Sequence, residues 1–220
     1  MIKRLIQGMT LLLAFCMLAP AQAETYPATP YQVIKVAADK TFQDIDQHQD
    51  KIKNNVGVLR TIIRNDLMPY VDYKYAAYFV VGAQLRGTTK DERENFANAF
   101  RDYIIETYAN ALSKYYSNQT VKVLEPKQPN NGKIAMVEVE VHQGDQAPIE
   151  LQFTLRKNKR TGQWKAFDMV AEGGISLLTT QKSELAPLLR EKGIVAVTKT
   201  LVERQKALAN GKASDSKASA

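Results

Sequence analysis

Residues 134–142, Ile134-Ala135-Met136-Val137-Glu138-Val139-Glu140-Val141-His142, set Ala135, Val137, Val139 and Val141 on alternate positions, with Glu138, Glu140 and His142 between them. Residues 149–156 repeat the pattern, Ile149, Leu151, Phe153 and Leu155 alternating with Glu150, Gln152, Thr154 and Arg156. A period of two belongs to a strand with one face on a core and the other in water. Lys157-Asn158-Lys159-Arg160-Thr161-Gly162 then reads as a polar hairpin turn, followed by a strand over 163–171. With residues 120–124 this predicts about four strands on short connections, hence an antiparallel sheet. Gly173-Gly174 ends the pattern.

Outward from the sheet the period changes to that of helices. Upstream, Thr29-Pro30 is a cap followed by Pro at the first helical position, and Ile34, Ala37, Phe42 and Ile45 recur at helical spacing. Val58, Leu59, Ile62 and Ile63 predict a second helix ending near Met68-Pro69. Asp72 caps a short apolar third one that Gly82 stops. Thr89-Lys90-Asp91-Glu92 is a capping box opening a long helix with Phe96, Phe100, Tyr103, Ile104 and Tyr108 on its stripe. Downstream, helices over about 177–191 and 194–208 are separated by Gly193. Helices, then an antiparallel sheet, then helices returning onto it, make an α+β architecture. A cone-shaped sheet wrapped round helices would leave a cavity, a shape that the pattern permits without requiring it.

The 220 residues are 45% hydrophobic and 24% charged, the balance of a soluble globular protein. Lys3 and Arg4 precede an apolar run over 11–18, and Ala21-Gln22-Ala23 is a small-x-small cleavage site, so residues 1–23 read as a secretory signal peptide rather than a membrane span. Residues 24–208 then form one domain, and the Ala/Ser/Lys/Gly-rich residues 209–220 are expected to be a disordered tail. Cys16 lies in the signal behind Phe15, where a lipoprotein needs a small residue; the exported chain therefore has no cysteine and no disulfide. Without the signal, 28 basic face 23 acidic residues, and four basic residues against one acidic lie from Arg204 on. That leaves the body at about +2, far from the dense basic face of a nucleic-acid binder.

For an enzyme the inventory is poor. His48 and His142 lack a partner at metal-ligand spacing, and no nucleophile elbow, phosphate loop or glycine-rich nucleotide fingerprint occurs. Asp168, among Trp164, Phe167, Met169 and Val170, has two readings: a structural carboxylate bonded to backbone or a tyrosine hydroxyl, or a buried general base. The aromatic distribution says more, because all ten tyrosines lie between residues 26 and 116. Val71, Tyr75, Tyr78, Phe79 and Val80 form an apolar surface too wide for one helix to bury against an ordinary two-layer core. It is either packed on several sides or the lining of a ligand cavity.

Several stretches together resemble one family. Leu67-Met68-Pro69-Tyr70-Val71-Asp72-Tyr73-Lys74-Tyr75-Ala76 carries the likeness, as do Thr88-Thr89-Lys90-Asp91-Glu92-Arg93 and Gly162-Gln163-Trp164-Lys165-Ala166-Phe167-Asp168-Met169-Val170-Ala171-Glu172-Gly173. Leu188-Leu189-Arg190-Glu191-Lys192-Gly193-Ile194 continues it in order and spacing. These resemble the periplasmic phospholipid-binding (MlaC) family of the Mla pathway, which maintains lipid asymmetry and is also called the toluene-tolerance auxiliary family. The likeness spans about residues 30–205, with Gly174 as an extra glycine and Leu85 where many members have an aromatic residue.

The resemblance implies a nuclear-transport-factor-like twisted sheet wrapped by helices and enclosing an apolar cavity. It implies a periplasmic carrier with bound phospholipid as cargo, no other cofactor and no covalent chemistry. The carrier's partners would be an inner-membrane ABC transporter with an MCE-domain ring and an outer-membrane lipoprotein–porin complex, without stable insertion into either membrane. The expected lining is Val71, Tyr75, Phe79, Val80, Phe100, Tyr103 and Ile104 from the helices, with Val137, Val139, Leu151, Phe153, Trp164 and Met169 from the sheet. Two other classes stay open: an enzyme on the same cone with Asp168 as base, and a secreted adaptor with a filled core.

Overall fold

Helix α1 (Pro30–Gln47) starts where Thr29-Pro30 predicts. The Thr29 hydroxyl accepts from the Gln32 amide at 3.2 Å and the Gln32 side chain accepts from the Thr29 amide at 3.3 Å. That reciprocal pairing satisfies amides the first turn leaves free. Two short helices follow, α2 (Gln49–Asn54) and α3 (Gly57–Ile62). The expected second helix ends irregularly, through a π turn (Ile63–Leu67) and a 3-10 turn (Met68–Tyr70). Asp72 caps α4 (Tyr73–Val81), and a 3-10 segment (Gly82–Gly87) leads to α5 (Lys90–Tyr115). The capping box forms there too, the Thr89 amide donating to Glu92 Oε2 at 2.7 Å and the Glu92 amide to Thr89 Oγ1 at 3.2 Å.

The computed structural model describes residues 26–115, 119–126, 132–171 and 173–211. The expected signal peptide and residues 212–220 of the expected tail lie outside these. The sheet comprises β1 (Gln119–Val123), β2 (Ile134–Gln143), β3 (Ile149–Lys157), β4 (Trp164–Ala171) and β5 (Ile175–Ser176). They lie side by side in chain order, every pair antiparallel. The fifth strand goes beyond the sequence expectation. Gly173 and Gly174, at φ 85° and 77°, reverse the chain so that Ile175 and Ser176 pair back onto Ala171 and Val170. Only glycine takes two such φ values in succession cheaply, so the pair that reads as a break is a hairpin turn.

Register assigns the faces. Val137 lies opposite Phe153, Val139 opposite Leu151, and Phe153 opposite Met169, all on one side. Helix α6 (Leu177–Ala209) bends at Gly193, whose φ 74° and ψ 172° are not helical, giving the two arms predicted on either side of that glycine.

The interior is divided into three apolar clusters. Ala76, Val80, Phe96, Phe100, Leu185, Leu189, Val197 and Leu201 join α4, α5 and α6. Val33 and Ile34 of α1 pack on the sheet residues Ala135, Val137, Val139, Leu155, Trp164 and Ala166. Ile45, Ile52, Leu59 and Ile63 meet Ile105 and Ala109 of α5. Helix α1 thus belongs to the second and third clusters, α5 to the first and third. A buried ion pair ties the ends together: Arg60 Nε donates to Glu106 at 2.6 Å, with Glu106 1% exposed, and the same guanidinium donates to the Ala209 carbonyl at 3.1 Å. The architecture is the expected mixture of helices and an antiparallel sheet.

Candidate functional site

The residues expected to line one cavity are distributed over all three clusters. Val80, Phe100 and Tyr103 are buried among the helices, with Ile104 half-buried against them. Val137, Val139 and Trp164 are buried on the sheet, where Leu151 and Phe153 are half-buried. Val71 packs on the third cluster, and Met169 is half-buried beside Phe153. Phe79 is 38% exposed, with Lys182 Nζ 4.4 Å from its ring centre.

A junction between the helical and sheet clusters forms around Tyr75. Its ring meets Phe167 edge-on at 4.9 Å, and the Arg156 guanidinium lies 4.2 Å from its centre on another side. Arg156 also pairs with Asp72 at 2.8 Å. Asp72 in turn caps α4 by accepting from the Tyr75 amide at 3.2 Å, and its own amide donates to the Ala166 carbonyl at 2.7 Å. The Asp72 carboxylate therefore holds the start of α4 and a cation from β3, while its backbone amide ties the same residue to β4. Nearby, the Tyr26 hydroxyl donates to the Trp164 carbonyl at 2.6 Å and its ring lies 5.7 Å from Tyr70. Burial pushes that hydroxyl up to about 12, with Tyr70 and Asp72 adding to the shift.

Arg156 and Tyr26 escape sequence reasoning. Arg156 occupies an ordinary outward position of an alternating strand, and Tyr26 precedes the first helix. Only the strand order, which carries Arg156 across β4 to Asp72, reveals their roles.

Among the described residues, two concavities opening to solvent bear on the site. One, of about 300 Å³, is lined by Glu138, Val139, Glu140, Glu150, Leu151, Gln152 and Val170. The other, of about 440 Å³, lies between α1 and β1, lined by Tyr31, Lys35, Asp39, Val121, Val123 and His142. Neither is the enclosed apolar cavity expected, and Val139 and Leu151 are the expected lining residues that reach one of them.

Asp168 has its acceptors occupied. Oδ1 accepts from the Met169 amide at 2.8 Å and the Leu178 amide at 3.0 Å, and Oδ2 from Ser176 Oγ at 2.7 Å. It pins the first turn of α6 to β4, which is the structural reading. Burial, with the charge of Asp168 as a lesser cause, pushes the Tyr108 hydroxyl up to about 12. His48 Nδ1 lies 2.9 Å from the Asp44 carbonyl, and His142 Nε2 lies 2.9 Å from Glu140. Among the described residues no group of three His, Cys, Asp or Glu side chains is placed to hold a metal ion, and no helix is long and apolar enough to cross a membrane.

Comparison with known proteins points one way. The family model described as MlaC protein matches residues 35–203. The chain is 39% identical over 184 residues to the intermembrane phospholipid transport system binding protein MlaC of Haemophilus influenzae, covering 83% of this chain and 84% of that protein. It is 25% identical over 194 residues to the toluene tolerance protein ttg2D of Pseudomonas putida, covering 88% and 86%. Its fold matches the phospholipid-binding protein from Ralstonia solanacearum, solved in complex with a phospholipid, with a TM-score of 0.72 at 23% identity, over 81% of this chain and 98% of that one. A family match along most of the chain, with a relative this similar over four-fifths of both lengths, places the chain in the MlaC family.

Proposed function

We propose that this protein carries phospholipid between two membranes. The observation that carries the reading is its similarity, along most of its length, to a protein named for intermembrane phospholipid transport, on a fold shared with a phospholipid complex. The carrier acts in the periplasm, taking cargo from an outer-membrane lipoprotein–porin complex and passing it to an inner-membrane ABC transporter with an MCE-domain ring, or the reverse. It performs no covalent chemistry and requires no cofactor beyond its cargo.

Physical reasoning supports the need for shelter. Two acyl chains carry roughly thirty methylenes at about 0.8 kcal/mol each, on the order of 20–25 kcal/mol if left in water. The tails belong between the sheet and helical clusters, where Leu151, Phe153, Met169 and Tyr75 are half-buried rather than sealed. Moving a chain from bilayer to this interior exchanges one apolar setting for another. The binding site therefore does not set a direction, and transport one way needs a coupled energy source or a difference in partner affinity.

The test is organic extraction of the purified protein followed by mass spectrometry. Phospholipid near one equivalent is expected. An extract without lipid, from protein that also takes none from vesicles, would leave the adaptor with a filled core as the better reading.

A further inference from the structure

The β3–β4 hairpin gathers charge that the rest of the body lacks. Residues 132–136 and 154–166 contain Lys133, Arg156, Lys157, Lys159, Arg160 and Lys165 and no Asp or Glu. The pairing brings them together: Lys133 and Lys157 share a backbone hydrogen bond at 2.9 Å, and Ile134, Arg156 and Lys165 form the next row across three strands. Of these cations, Arg156 is the one held in an ion pair among the described residues.

The tip is rigid. Asn158 Oδ1 accepts from the Arg160 and Thr161 amides at 2.9 and 3.2 Å, the Gly162 amide donates to the Asn158 carbonyl at 2.8 Å, and Gly162 takes φ 73°. The turn therefore projects Lys159 and Arg160 outward, both exposed. Ile134 and Met136 stand on the same strand face behind them, 49% and 61% exposed. Farther along that face the charge reverses to Glu138, Glu140 and Glu150.

We infer that this hairpin end is a docking surface for an anionic phospholipid bilayer. Cations near an anionic membrane surface are attracted singly and add, and exposed aliphatic side chains beside them enter the headgroup boundary. A fluid interface receives Ile134 and Met136 without a complementary cleft, whereas a folded acidic partner would need one. Both concavities described above lie away from the tip. The acidic far end of the face is repelled by the same surface, so the protein approaches hairpin first. This goes beyond the carrier reading and does not depend on bound cargo.

The experiment is vesicle flotation with the full chain lacking its signal peptide. Vesicles of phosphatidylcholine alone are compared with vesicles in which about a third of the lipid is phosphatidylglycerol, enough to give a negative surface potential. Binding to the anionic vesicles alone, weakened by salt, is expected. Lys159→Gln with Arg160→Gln should weaken it roughly thirtyfold, as two surface cations are lost. Ile134→Ser with Met136→Ser should weaken it by a smaller factor, and removal of residues 210–220 by less than either. Circular dichroism confirms that each variant folds. Vesicle binding that is absent at low salt, or unchanged in the Lys159/Arg160 variant, overturns the inference. Extraction of bound lipid is a separate measurement, so failure here leaves the carrier reading standing.

Discussion

Glu106 is a carboxylate 1% exposed, and what makes its burial tolerable is the Arg60 guanidinium 2.6 Å away and the Asn110 amide nearby. Removing one partner of such a pair costs far more than removing both. Arg60→Ala should therefore lower stability by about 3–5 kcal/mol in denaturant unfolding, while Arg60→Met with Glu106→Leu should recover most of the loss. Asp168 presents a milder case. Asp168→Asn keeps one acceptor for the Leu178 amide but removes the charge that Ser176 bonds, so stability should fall by about 1–3 kcal/mol and lipid content should be unchanged. A turnover activity abolished by that substitution would revive the enzyme reading. Asp66 has the opposite sign. Burial, then the neighbouring Asp44 carboxylate, raises its pKa, and its Oδ2 is buried without a hydrogen-bond partner. An acid whose folded pKa is raised penalises the folded state once ionised, so the penalty is present at neutral pH and vanishes below the ordinary carboxylate range. Asp66→Asn should raise the melting temperature at neutral pH, and melts repeated in acid should show that gain shrinking; a constant gain at every pH would refute the assignment.

Among the elements, those with local causes were legible in the sequence. The caps at Thr29, Asp72 and Thr89 each form within three or four residues of themselves, and the alternation over 134–156 needs only a core on one side. The π turn over Ile63–Leu67 and the two-residue β5 were not legible, because neither has a period long enough to detect. Gly193 was legible as a break, and its conformation shows why. At φ 74° and ψ 172° it occupies a region essentially closed to other residues, yet an added Cβ would meet nothing within 4 Å. The penalty for Gly193→Ala should thus be backbone strain alone, about 1–3 kcal/mol by thermal or chemical unfolding. Gly87→Ala, in equal space and without a positive φ, should cost far less.

For the whole molecule, periodicity identified which residues turn inward but not which layer they meet. Val137 and Phe100 are equally apolar and equally periodic, yet one packs under α1 and the other under α6. Chain topology decides that, and nothing local announces it. The division gives a prediction. Val139 is buried on the sheet opposite half-buried Leu151, which has room to yield, whereas Ala76 sits inside the helical cluster. In delipidated protein Ala76→Trp should show the usual overpacking cost of about 1–3 kcal/mol or more, and Val139→Trp a smaller one. Val139→Trp should also reduce bound phospholipid; equal destabilisation with full lipid content would argue against tails beside the sheet. The position of α6 bears on how the chain reaches this state at all. The strands pair only with chain neighbours, so the meander can zip in order as hairpins, with little loop entropy at each step. The helical half has no such route. Phe96 and Phe100 wait for Leu185, Leu189, Val197 and Leu201, which follow them in the chain only after the whole sheet. Until α6 docks, α4 and α5 display an aromatic surface with no cover, so the folding chain is most exposed to aggregation while the meander has formed and α6 is not yet in place.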